Sequence, residues 1–478
     1  MRARRWLARR RGDQPRTQGL TRDTKLLVAG QGVRAAGYGF TAVLLGALLA
    51  ARGFSRMQVG VVLTALIAGT ALASLAVGRF GDRVGRRRSY VVFFCGIAAA
   101  GVVVAAGAPL WVLLVVALTG TMSTDVVDNG PATTLEQAML AAEDAGTAAV
   151  YGRYNAVGAA AGALGSLAVI LPGLGQHGRS GGVHAWLFLV LVPVGITGAV
   201  LAALLSPAVE ARQGGPSALV PVTRGRTRLG PSRALVRRLA GLFAVDAAGG
   251  GLVTTGFLSY YLAERYHASV VALGWLFFAV SVVQAVSVAL APLLARRFGL
   301  VATMVGTHLP SNVLLAAVAF APTYGIAAGL LLARTTLSQM DVPARQALVM
   351  TVVTPEERTA AAAVTNASRY TVRPAGPLVA GLVQQLALGA PLVLAGAVKA
   401  GYDLMLWRWA RHLGLTSRAG TRPLRTPAGT ALTASEVHQA VSYRPIIRYE
   451  VTGGYVNLPG LTAHDPSPSP SPPQEEPS

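Results

Sequence analysis

The chain has 478 residues, of which 53% are hydrophobic and only 13% are charged. A typical soluble protein carries a charged fraction of about 25%, so this composition excludes an ordinary soluble fold. Apolar segments long enough to cross a bilayer recur between residues 26 and 407. The composition therefore predicts an all-α polytopic membrane protein that is embedded in the lipid bilayer.

The net charge of +22 could suggest nucleic-acid binding, but the distribution of the charge argues against it. Most of the 42 lysines and arginines fall on one side of the predicted membrane segments, and only four fall on the other side: Arg52, Arg56, Arg179 and Arg265. Basic residues concentrate in the cytoplasmic loops of membrane proteins. We therefore predict a plasma-membrane protein with both termini in the cytoplasm and without a nucleic-acid partner.

The first half of the chain begins with a basic tail, residues 1–25, which leads directly into an apolar segment. Six predicted spans form an N-terminal bundle, residues 26–205, and they cover residues 26–51, 57–77, 90–106, 110–135, 147–171 and 183–205. Residues 206–238 follow as a linker with seven arginines, four prolines and no apolar run. This composition is typical of a cytoplasmic connection between two halves.

The second half contains six more predicted spans, which form a C-terminal bundle, residues 239–409. They cover residues 239–262, 270–294, 300–320, 324–353, 359–388 and 391–409. The remaining residues, 410–478, are polar and become rich in Pro and Ser, so we expect a disordered cytoplasmic tail. Twelve spans place both termini on the same side.

A weak internal repeat supports this division into halves. Residues 136–140, Glu-Gln-Ala-Met-Leu, resemble residues 345–349, Arg-Gln-Ala-Leu-Val. Each segment precedes an acidic turn and then an Ala-rich helix that carries an Asn and an Arg. Such a repeat is expected from a six-plus-six duplication.

A charged segment, residues 78–90, connects the second and third spans and reads GRFGDRVGRRRSY. Its five arginines surround one carboxylate, Asp82, which we expect to pair with an arginine or with a helix N-terminus. Glycine tolerates the left-handed backbone conformation of tight turns, so Gly85 is expected to form a turn. The whole segment is predicted to be a loop between two span ends.

This segment resembles the signature loop between helices 2 and 3 of the major facilitator superfamily, Gly-x-Leu-Ala-Asp-Arg-x-Gly-Arg-Arg. The matching residues are Gly78, Asp82, Arg83, Gly85, Arg86 and Arg87. The resemblance implies twelve transmembrane helices in two six-helix bundles and transport of a small-molecule substrate by alternating access. It also implies a gating role for the loop, in which Asp82 holds the cytoplasmic ends of the bundles together. We expect a monomer.

Seven basic and five acidic residues lie inside predicted spans, where such groups are costly and commonly line a transport pathway. The near balance predicts that most of them are paired. The candidates for the substrate or proton pathway are Arg34, Asp125, Asp128, Asp246, Arg334, Asp341, Arg345, Arg369 and Arg373. Arg153, Lys399 and Asp403 complete the set.

Spacing along a helix predicts particular pairs among these residues. Asp341 and Arg345 are four apart, as are Lys399 and Asp403, so each pair shares a helix face. Asp125 and Asp128 are three apart and share a face of the fourth span.

In the eleventh span, Arg369 and Arg373 share a face, and Pro374 and Pro377 are expected to break the helix just after them. Arg373 is expected either to pair with Asp128 or Asp341 or to bind an anionic substrate.

Asp246 lies near the middle of the seventh span, next to three glycines. One interpretation is an isolated carboxylate that exchanges protons, because burial favours its neutral form. The other is a buried ion pair with an arginine of the tenth or eleventh span. His308, in the ninth span, is expected to pack or cap rather than to titrate.

These patterns predict a secondary active transporter, with proton-coupled efflux as the preferred function. The alternatives are a uniporter or symporter of a small metabolite, and a receptor or scaffold that uses the same fold without transport. The sequence has no recognisable Ser/His/Asp grouping, phosphate loop or cluster of metal ligands. We therefore expect neither an enzyme nor a cofactor or metal site.

Overall fold

The computed structural model describes residues 20–124, 130–142, 148–171, 183–210, 229–230, 232–354 and 357–412. These residues are 85% helical and contain no strand, which confirms the predicted fold class. Seven helical stretches within them are long and apolar enough to cross a membrane. This number is consistent with twelve spans, because several predicted spans are divided into shorter helices. Most of the predicted N-terminal tail, most of the linker and the C-terminal tail lie outside the described residues.

In the described part of the N-terminal bundle there are seven α-helices. They are α1 (Arg22–Ala51), α2 (Arg56–Val84), α3 (Arg86–Ala105), α4 (Leu110–Leu118), α5 (Pro131–Ala142), α6 (Ala148–Ala168) and α7 (Leu191–Ala203). A 3₁₀ turn, Ala185–Val190, leads into α7. Long-range packing of α1 on α6 and of α3 on α7 holds this bundle together.

Nine α-helices are described in the C-terminal bundle. They are α8 (Arg233–Leu252), α9 (Thr255–Tyr266), α10 (Val270–Phe298), α11 (Leu300–Val318), α12 (Tyr324–Ser338), α13 (Asp341–Val352), α14 (Arg358–Val372), α15 (Ala375–Val383) and α16 (Ala390–His412). Helix α16 packs on α8 and α11, and α8 also packs on α14. These contacts bring four helices that are distant in sequence around one buried centre.

Four predicted spans are interrupted, and only the break in the eleventh span was expected. The fourth span stops at Leu118, and Gly120 then adopts a φ of 70°, which an α-helix does not allow. The seventh span breaks between α8 and α9, and the tenth breaks between α12 and α13. The eleventh breaks at Pro374, as expected for a residue without a backbone N–H, whereas Pro377 lies within α15.

The charged segment between the second and third spans is a sharp junction rather than a loop. Helix α2 continues to Val84, α3 begins at Arg86, and only Gly85 lies between them, with a φ of 97°. Glu210 caps the start of α3, because the backbone N–H groups of Arg86 and Arg87 donate to its carboxylate at 2.7 and 3.2 Å. The prediction of a thirteen-residue turn was wrong, since helical hydrogen bonds continue beyond the apolar part of α2.

Asp82 has the arginine partner that the sequence predicted. Its Oδ1 accepts a hydrogen bond from Arg86 Nε at 2.7 Å, and Arg86 also donates to the carbonyl oxygen of Ala138 at 3.0 Å. The ion pair therefore joins α2 to α3 within one bundle. We call this end of the molecule, with its arginines, the arginine-rich end.

The same construction recurs in the second half of the chain and supports the predicted duplication. Helices α2 and α10 both have 29 residues, and both begin after a capping serine, Ser55 and Ser269. Both end at a glycine with positive φ, 97° at Gly85 and 91° at Gly299.

The two bundles contact each other near the opposite end, where α1 ends and α2 begins. Three helix pairs make most of these contacts: α1 with α9, α2 with α15 and α6 with α10. Glycines permit the close approach, since a Cβ added to Gly60 would lie only 2.6 Å from the carbonyl oxygen of Pro377. Arg56 also donates across this interface to the carbonyl oxygen of Gln384 at 2.6 Å.

Candidate functional site

Asp246, on α8, is the centre of a buried charge cluster in the C-terminal bundle. Its carboxylate lies 2.5 Å from Lys399 Nζ and 3.2 Å from Arg345 Nη1. Arg369 Nη2 and His308 Nε2 each lie 3.9 Å away. We call these residues, together with Asp341 and Asp403, the Asp246 cluster.

The interpretation of Asp246 as an isolated carboxylate is therefore wrong, and the alternative of a buried ion pair is correct. Its partners come from α11, α13, α14 and α16, which are far from α8 in sequence. A buried carboxylate needs such partners, because an unpaired charge in a low-dielectric interior costs several kcal/mol. The isolation that suggested proton exchange at Asp246 does not exist in the folded protein.

The predicted pair of Asp341 and Arg345 is confirmed. Arg345 Nη1 lies 3.0 Å from Asp341 Oδ2, and both side chains are buried. The same guanidinium bridges to Asp246 and lies over the ring of Phe243, 5.7 Å from its centroid. Arg345 thus ties α13 to α8.

The predicted pair of Lys399 and Asp403 is not formed. Lys399 binds Asp246 instead, while Asp403 accepts hydrogen bonds from His308 Nδ1 at 2.9 Å and from Asn312 Nδ2 at 2.8 Å. The spacing was correct for a pair along one helix, but neighbouring helices offer both side chains better partners. Sequence spacing detects only partners on the same helix.

A second buried cluster lies in the N-terminal bundle and is centred on Glu136, on α5. Arg34 Nη2 lies 2.9 Å from Glu136 Oε2, and the two side chains are 1% and 0% exposed. The hydroxyls of Tyr90 and Tyr154 both donate to the same carboxylate. We call these four residues the Glu136 cluster.

Glu136 was missing from the predicted set of membrane charges, because the fourth span was taken to end one residue earlier. The internal repeat offered a signal that could have found it, since it aligns Glu136 with Arg345. Both belong to a buried charge cluster, but with opposite charge. In the N-terminal bundle α1 supplies the cation and α5 the anion, whereas in the C-terminal bundle α8 supplies the anion and α13 the cation.

The remaining candidates have different surroundings. Arg334, on α12, has no ion-pair partner among the described residues, and its Nε is buried without a hydrogen-bond acceptor. Arg369 is partly exposed, with 29% of its side chain accessible. Arg373 caps α14, and Asp341, one of its two expected partners, pairs with Arg345 instead. Asp125 and Asp128 lie outside the described residues.

Two bundles of membrane-spanning helices, each with a buried charge cluster and joined near one end, define a polytopic membrane transporter. The family model of the Major Facilitator Superfamily matches residues 27–377. The chain belongs to this superfamily, as its signature segment had indicated. The family is one of transporters rather than of enzymes.

Individual relatives are distant. A membrane protein of Saccharomyces cerevisiae, YJR124C, described as uncharacterised, is 26% identical over an alignment of 418 residues, which covers 81% of this chain and 93% of the yeast protein. The nucleoside transporter NupG has a similar structure, with a TM-score of 0.63 and 13% identity, covering 82% of this chain and 99% of NupG. A D-xylose–proton symporter has a TM-score of 0.57 and 13% identity, covering 80% and 97%. At these identities the structural similarities show the fold alone.

Proposed function

We propose that this protein is a proton-coupled secondary transporter that exports a small solute across the plasma membrane by alternating access. We further propose that it acts as a monomer. Both termini lie in the cytoplasm, because basic residues concentrate at the arginine-rich end, as they do on the cytoplasmic side of membrane proteins. The observation that carries the proposal is the position of the main contacts between the bundles, which lie near the opposite end in the part of the chain that the structure describes. Close helix packing near the opposite end is typical of a transporter that is closed toward the outside and open toward the cytoplasm.

The glycine contacts explain how this closure can be reversible. The interface uses small residues and a few hydrogen bonds, such as that from Ser259 to the carbonyl oxygen of Val43 at 2.5 Å. Neither buried charge cluster crosses between the bundles among the described residues. Each bundle can therefore rotate as a body while its own ion pairs stay intact, which is the motion that alternating access requires.

The interrupted helices support a solute pathway between the bundles. Breaks in spans are tolerated where the backbone lines a cavity or is buried in protein, and four of them occur here. Arg334 and Arg369 lie on the helices that flank two of these breaks, and each has an Nε atom without a hydrogen-bond acceptor. We propose that these two arginines attract the solute, which favours one with an anionic or strongly polar group.

The test is transport into inverted membrane vesicles, with and without a pH gradient, using a panel that includes nucleosides, pentoses and organic anions. We expect uptake of one solute class that increases when the vesicle interior is acidic. Transport that does not respond to the gradient would indicate a uniporter, and transport driven in the reverse direction would indicate a symporter. Specific solute binding without movement would indicate a receptor.

A further inference from the structure

We propose that His308 is the group that binds the transported proton, in place of the carboxylate of Asp246. This inference rests on the proposed proton coupling and assigns it to a particular atom, Nε2 of the imidazole. The sequence had suggested only a packing role for this residue. The argument follows from the hydrogen bonds, the charge balance and the position of the ring.

The hydrogen bonds of His308 set its tautomer. Nδ1 lies 2.9 and 3.1 Å from the two carboxylate oxygens of Asp403. An ionised carboxylate only accepts hydrogen bonds, so Nδ1 carries the hydrogen and donates it. The neutral ring then has its lone pair on Nε2, and this atom lies 3.9 Å from Asp246 Oδ1. A proton that binds at Nε2 therefore faces a second carboxylate.

The six other charges of the Asp246 cluster balance one another when His308 is neutral. Asp246, Asp341 and Asp403 contribute three negative charges, and Arg345, Arg369 and Lys399 contribute three positive charges. Histidine is the side chain whose ordinary titration falls near neutral pH. His308 is therefore the member of the cluster whose protonation state can change while the six other charges remain.

The groups that face His308 come from every neighbouring helix. On its own helix, α11, Asn312 Nδ2 lies 3.3 Å from Nδ1. Helix α16 contributes Asp403 and Tyr402, and the ring centroid of Tyr402 lies 6.1 Å from that of His308. It also contributes Lys399, which binds Asp246. Helix α8 contributes Asp246, which also lies close to Arg345 of α13 and Arg369 of α14.

Protonation of His308 has a direct structural consequence. The new positive charge at Nε2 competes with Lys399, Arg345 and Arg369 for the same carboxylate. Weaker pairing of Asp246 with these cations loosens the connections of α8 to α13, α14 and α16. Helix α8 ends immediately before the break that leads to α9, and α9 packs on α1 in the other bundle. Protonation of His308 can therefore alter the interface between the bundles through α8 and α9.

The experiment compares His308→Gln with His184→Gln, because His184 is an exposed histidine that precedes the 3₁₀ turn before α7. In reconstituted vesicles, His308→Gln should abolish the stimulation of transport by a pH gradient while counterflow exchange of the solute continues. His184→Gln should behave as the wild type. Gradient-driven transport that persists in His308→Gln would overturn the proposal.

A second measurement does not depend on transport. The difference in thermal midpoint between the wild type and His308→Gln should vary with pH across the neutral range, and a constant difference would overturn the proposal. If the wild type transports its solute without any response to pH, the proposed coupling fails, while this measurement still decides whether His308 titrates. If His308→Gln does not fold, Asp403→Asn replaces it, and its half-maximal transport should shift to lower pH because the imidazolium loses its partner.

Discussion

Removal of the negative charge at Glu136 should strongly destabilise the N-terminal bundle. The Glu136→Gln side chain keeps the volume and can still accept from one of the two tyrosines, but it leaves the guanidinium of Arg34 buried without a counter-ion. Arg34 is only 1% exposed, so water cannot replace the lost partner. Breaking a buried pair in this way costs about 3–5 kcal/mol. For a bundle of roughly 180 residues, this corresponds to a fall in thermal midpoint on the order of 10 °C.

The assay is thermal unfolding of the purified protein in detergent, followed by tryptophan fluorescence. Glu264→Gln is the matched control, because Glu264 is an exposed carboxylate near the end of α9, and its loss should leave the midpoint almost unchanged. The double variant with Arg34→Met and Glu136→Gln removes both charges and should recover most of the lost stability. This recovery separates an uncompensated charge from a packing defect.

Two results would refute the reasoning. One is a midpoint for Glu136→Gln that equals that of the Glu264→Gln control, which would mean that Arg34 finds solvent or another partner. The other is a double variant that is as unstable as the sum of the single variants, which would mean that the two charges do not interact.

Three further predictions concern other parts of the structure. Gly46→Leu should prevent closure near the opposite end, because even a Cβ at this position meets the backbone of Gly256; cysteines introduced at that end should label faster, and unchanged labelling would contradict the proposed interface. Arg334→Gln should raise the thermal midpoint but weaken solute affinity, because it removes a charge that costs about 2.5–3.5 kcal/mol at the centre of a membrane helix; a lower midpoint would show that the arginine is paired. Hydrogen bonds from the hydroxyl and backbone N–H of Ser232 and from the N–H of Gly230 hold the pKa of Glu357 below its usual value. The ionised Glu357 therefore stabilises the folded state above the unfolded pKa of about 4.3, and this stabilisation is lost as the pH falls through the lower folded pKa. Glu357→Gln should therefore reduce the loss of stability on acidification, and identical acid unfolding curves would count against this role.

The sequence alone identified the class of protein and its family. Apolar length and the distribution of basic residues are properties of each segment by itself, so they can be read without knowledge of the packing. The signature segment, the pairing of Asp82 with an arginine and the pair of Asp341 and Arg345 were also predictable. Each depends on residues only a few positions apart, whose proximity follows from helical geometry.

The partners of Asp246 and Glu136 were decided only by the tertiary structure. Asp246 meets Lys399, and Glu136 meets Arg34, across more than a hundred residues of sequence, and helix period carries no information about such contacts. The competition between partners also needs the fold, as Asp403 shows by binding His308 rather than Lys399. A buried charge pairs with whichever opposite charge the packing places nearest, because the cost of leaving it alone exceeds any preference for a neighbour on its own helix.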